Sequence, residues 1–131
     1  MRYAPGCGRG VDRIAGHAFL LSGRTPIDGV WTIKRDIGKL LSSAGGRHAT
    51  HTTSRFDVLV LGDLENSPVL EPENSLGQKA IYVFDRRQNG SHIHVVDGNG
   101  LSRLLRGELA PCLDLVRNEQ GGKVFVRSTG F

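Results

Sequence analysis

Phe56-Asp57-Val58-Leu59-Val60-Leu61-Gly62-Asp63 is the stretch on which the fold turns. Five of these residues are apolar, Asp57 alone interrupts them, and the run stops at a Gly-Asp turn. A short, β-branched, non-alternating run reads as a strand buried on both faces, the kind found in the middle of a parallel sheet covered by helices. Two further apolar runs, residues 18–21 and 93–96, flank it at a distance and supply neighbouring strands.

Working outward toward the N-terminus, residues 17–23 form a first strand stopped by Ser22-Gly23, and residues 24–30, with Pro26 and Gly29, form a loop. A helix follows, with Thr32 as its cap and Ile33, Ile37, Leu40, Leu41 and Ala44 on one stripe; Gly45-Gly46 ends it. Residues 47–51 form a short strand. The link from it to the central strand is so short that such a connection usually joins antiparallel neighbours, and the pattern alone leaves its direction open.

Toward the C-terminus, residues 63–74 carry Pro68, Pro72 and three glutamates without periodicity, and read as an exposed acidic loop. Asn74 or Ser75 caps a second helix with Leu76, Ala80, Val83 and Phe84 on its stripe and Asn89-Gly90 at its end. Residues 92–96 form a strand, residues 97–100 a turn, and Leu101, Leu104 and Leu105 mark a last short helix. Residues 1–15 read as a leader or linker and residues 109–131 as a C-terminal extension with a hairpin around 118–122. The order is β-α-β-β-α-β-α, an α/β domain. Its expected core is Phe19, Leu21, Ile37, Leu41, Val58, Val60, Ala80, Phe84, Ile93 and Val95.

The chain has 131 residues, a formal net charge of +4, 38% hydrophobic and 23% charged residues. These values suit one soluble domain, and the mild basic excess is compatible with nucleic acid without requiring it. No apolar run reaches the ~18 residues of a membrane span. The N-terminal arginines are followed by no apolar export signal, so Cys7 and Cys112 read as reduced thiols of a cytoplasmic protein, or of a nuclear one in a eukaryote. His92 and His94 share one strand face, but no cysteine or carboxylate stands at matching spacing, so no metal is expected. Gly-x-Ser-x-Gly, P-loop and dinucleotide-binding motifs are absent; the chain reads as a binding module without catalytic residues or cofactor.

The segment from Gly45-Gly46 through Thr52-Thr53-Ser54-Arg55 into Phe56–Gly62 resembles the BRCT domain, in which a first helix ends in Gly-Gly and a Ser/Thr-rich link enters a hydrophobic strand. Ser75 with Lys79-Ala80 resembles the start of that family's second helix, as in bacterial NAD-dependent DNA ligases and the clamp-loader large subunit, and residues 97–105 resemble its last helix. The likeness covers residues 16–108. It implies a four-stranded parallel sheet in the order 2-1-3-4 flanked by three helices. It also implies a non-catalytic recognition module of DNA repair or replication, free-standing or part of a larger ligase or exonuclease. Its partner would be a DNA end or nick carrying a 5′-phosphate, or another repair protein; a phosphopeptide is the alternative, and a small nucleotide-binding α/β enzyme the competing class.

The same resemblance implies a phosphate pocket at Ser22 and Gly23, with Lys79 as its cation, since Leu76 stands where the family usually has lysine. Arg24, Lys34, Arg35, Lys39 and Arg47 are the candidate DNA-binding cations around the first helix. This chain departs from the family in lacking a tryptophan in the last helix and in its longer second helix and acidic loop.

Overall fold

The computed structural model describes residues 2–51, 55–62, 78–117 and 124–127. Four parallel strands form its central sheet: β2 (Ala18–Leu21), β5 (Arg47–Ala49), β6 (Val58–Leu61) and β7 (His94–Asp97), in the spatial order β5-β2-β6-β7. Phe19 stands opposite His48 on one side and Val58 on the other, and Leu59 stands opposite Val95. The direction left open by the sequence is parallel. Because β2 lies between β5 and β6, the short link joins strands that are not neighbours and needs no hairpin turn.

All four residues of β2 and of β6 are buried, as the central position of these strands demands. The period-2 alternation divides them between two layers. Leu20, Leu59, Leu61 and Val95 pack with Ala80, Val83 and Phe84 of α2 (Gln78–Gln88). Phe19, Leu21, Val58, Val60 and Val96 face Ile37 and Leu41 of α1 (Lys34–Ser43), together with Leu101 and Leu104 of α3 (Gly98–Leu105). All ten expected core residues are buried. Asp57, the interruption in the run, accepts the Ala18 amide at 2.7 Å and pairs with His17, so it clamps the start of β6 to the start of β2.

Several elements differ from the sequence reading. The segment expected as a loop at 24–30 holds a hairpin of β3 (Thr25–Ile27) and β4 (Val30–Thr32). Thr32 does not cap α1: its hydroxyl donates to the Val30 carbonyl, and Ile33 occupies the N-cap without a side-chain bond. Leu40, assigned to the apolar stripe, is 42% exposed. Residues 97–100 are not a separate turn. Asp97 is the N-cap of α3, accepting the Gly100 amide at 2.8 Å, and the helix begins at once.

The segment expected as a leader packs on the domain. β1 (Arg2–Ala4) pairs antiparallel with β8 (Asp114–Arg117), which also pairs with β9 (Val124–Arg127). Ala4, Leu115 and Val124 join the α2 layer, and Val11 and Ile14 join the opposite one. The acidic loop at 63–74 and the expected cap and first apolar residue of the second helix (Asn74, Ser75, Leu76) lie outside the described residues.

Candidate phosphate-binding site

The site lies at the carboxyl end of the parallel sheet, where Ser22 follows β2. Its amide donates to the Val60 carbonyl at 3.0 Å, extending the ladder by one residue. Its hydroxyl oxygen accepts the Gly62 amide at 2.9 Å, which leaves the hydroxyl proton for another acceptor. Gly62 permits this approach, because a Cβ there would stand 2.4 Å from the Arg24 carbonyl oxygen and 2.9 Å from that of Gly23.

Lys79, in the first turn of α2, reaches back and donates from Nζ to the Leu21 carbonyl at 2.9 Å. The ammonium thereby sits one residue from Ser22. Lys34 opens α1 beside it. Burial lowers the Lys79 pKa from its ordinary value, and the neighbouring Lys34 charge lowers it further. His48 completes the group: its ring packs against Gly38 of α1, where a Cβ would meet Nδ1 at 2.5 Å. Burial, then Lys34 and Lys79, lower its pKa and favour the neutral ring. Among the described residues no carboxylate forms an ion pair with Lys34 or Lys79. Two like charges held together, with no counter-charge among the described residues, form a local positive field at a strand end.

The other candidate cations are dispersed. The Arg24 guanidinium stacks 4.9 Å from the ring centroid of Trp31, which is 38% exposed on the β3–β4 hairpin. Arg35 is exposed and pairs with its neighbour Asp36 at 3.5 Å. Lys39 is five residues along α1 from Lys34, about 7.5 Å down the axis. Arg47 is not brought to the site: it pairs in register with Ala18, at the opposite end of the sheet from Ser22.

A second assembly was missed from the sequence. No cysteine stands at matching spacing from His92 and His94 in the sequence, but folding brings Cys7 and Cys112 to them. Ligand atoms of these four residues all lie within 4.8 Å of one another. Burial, then the Arg87 and His94 charges, push the His92 pKa down to about 4, so its ring is neutral at physiological pH.

No family model matches the chain, and neither the curated proteins nor the solved structures contain a match.

Proposed function

We propose that the chain is a non-catalytic recognition module of BRCT type that binds the terminal 5′-phosphate of a DNA end or nick. The observation that carries this reading is the convergence of Lys34 and Lys79, with no carboxylate paired to them among the described residues, at the end of β2 where Ser22 follows. A phosphate offers what these groups lack, a dianion accepting charge-assisted hydrogen bonds from two ammonium groups and a hydroxyl. Lys79 takes the part that Leu76 cannot, since its ammonium already lies beside Leu21. The parallel order β5-β2-β6-β7 agrees with the order that the resemblance implies. Arg24 on Trp31 adds an exposed cationic and aromatic platform on the hairpin that follows Ser22, suited to stacking on an unpaired base.

The test is a titration of the chain with 5′-phosphorylated duplex, the same duplex ending in a hydroxyl, and a phosphoserine peptide. The phosphorylated duplex should bind tightest, and Ser22→Ala should reduce that preference by about tenfold, the loss of one hydrogen bond to a charged group. Lys34→Ala should weaken every duplex and reduce the salt slope by about one. Equal affinity for phosphate and hydroxyl ends overturns the reading, and tighter binding of the peptide replaces DNA by a phosphoprotein.

A further inference from the structure

We propose that Cys7, His92, His94 and Cys112 form a tetrahedral zinc site that staples both end segments of the chain to β7. The donor set is two thiols and two imidazoles with no carboxylate, the set that zinc takes in closed structural sites. Cys7 Sγ lies 3.4 Å from His94 Nδ1 across 87 residues of chain, and Cys112 Sγ lies 3.4 Å from His92 Nε2 across 20. A tetrahedron with Zn–S of about 2.3 Å and Zn–N of about 2.0–2.1 Å places sulfur and nitrogen about 3.6 Å apart. The two observed pairs are already at that spacing, and the longest separation, at most 4.8 Å, closes with rotamer adjustments.

The backbone around the four groups is fixed independently of any ion. On one side of Cys7, β1 pairs with β8; on the other, Val11 and Ala110 exchange backbone hydrogen bonds at 2.8 Å. Cys112 is placed by the Leu113 amide, which donates to the Val95 carbonyl of β7 at 2.8 Å. His94 opens β7 and His92 lies two residues before it, and their rings meet at 4.9 Å between centroids. The segments 5–10 and 110–114 approach so closely that a Cβ on Gly6 would lie 2.2 Å from the Cys112 carbonyl oxygen. Both cysteines also line a surface cleft, with Gly6, Gly8, Arg9 and Asp114 among its other walls.

Charge and second contacts fit the same ion. Two thiolates cancel the double charge of Zn2+, so the loaded site is neutral and inexpensive to bury beside Val95. Loading releases the two thiol protons to solvent and leaves both imidazoles neutral. Arg87 Nη2 donates to Cys112 Sγ at 3.3 Å, an outer hydrogen bond of the kind that orients a thiolate ligand. The ion would join the segment before β2, the start of β7 and the segment after α3, three parts of the chain lying outside the helical layers.

The full chain, prepared in reductant without chelator, tests this by elemental analysis and by cobalt substitution. About one zinc per chain is expected, and Co2+ should give the visible absorption of a tetrahedral thiolate site. Cys7→Ser and His92→Ala should lose both signals, while His51→Ala, outside the cluster, keeps them. His92 is more exposed than Cys7, so its variant is expected to fold even where the cysteine variant does not. A chelator should lower the thermal midpoint of the native chain and leave that of His92→Ala unchanged. Absence of zinc after addition of the ion to the reduced chain overturns the proposal. So does a Cys7–Cys112 disulfide formed in reductant, or zinc retained by both variants.

Discussion

A methyl group added at position 62 has nowhere to go. It would stand 2.4 Å from one carbonyl oxygen and 2.7 Å from Thr25 Oγ1, and neither is the movable end of a long side chain. Gly62→Ala should therefore cost about 1–3 kcal/mol of overpacking, read as a lower denaturant midpoint. It should also displace the amide that Ser22 accepts; an unchanged midpoint would mean that the turn shifts freely. Val60 is fully buried in the central strand, so Val60→Asp places an unpaired charge there and should leave the chain unfolded by circular dichroism. For Lys79 the sign is set by its surroundings. Burial and Lys34 lower its pKa in the free chain, and a bound phosphate favours the ammonium, so ligand should move that pKa upward. Side-chain NMR of Lys79 with and without phosphorylated duplex reads this directly; no upward movement would place the phosphate elsewhere.

Single elements record how far residue patterns reach. The strands β2, β6 and β7 and the helices α1 and α2 were legible because apolar period and burial coincide at Ile37, Leu41, Ala80, Val83 and Phe84, although Ile33, Leu40 and Ala44 of the expected α1 stripe are exposed. The β3–β4 hairpin was not, because each arm has only three residues and Pro26 and Gly29 are turn formers as well as hairpin residues. At the candidate phosphate site, Ser22 and Lys79 were singled out by the resemblance, whereas the approach of Lys34 to Lys79 depends on where two helices sit on opposite faces of the sheet and left no local mark. The cysteine–histidine cluster was illegible for a stronger reason: no spacing rule connects groups 87 residues apart. The start of α1 carries a prediction of its own. Ile33 holds an extended N-cap conformation with φ −76° and ψ 158°, is 48% exposed and has no side-chain acceptor for the first turn. Ile33→Ser should raise stability by about 0.5–2 kcal/mol in chemical denaturation; a lower stability would show that the exposed isoleucine is held by packing.

Across the whole molecule, Arg87 joins what the central sheet does not. Its guanidinium donates to the carbonyls of Ala4, Ile93 and Leu113 at 2.8, 2.9 and 3.0 Å, linking β1, the approach to β7 and the approach to β8. Arg87→Met should leave those acceptors orphaned at about 1–3 kcal/mol each. The loss should show first as faster amide exchange in β1, and retained protection there would contradict it. The pairing of Arg2 with Arg117 has a consequence in time. Synthesis delivers β1 more than a hundred residues before its partner strand. The parallel sheet and its helices can collapse in the meantime, but this contact must wait, and such distant contacts form slowly. Until then Cys7, in the segment that follows β1, has no fixed neighbour from the segment around Cys112. The docking of β1 on β8 is thus a late step of maturation, and until it occurs the segment that carries Cys7 is open to oxidation and mispairing.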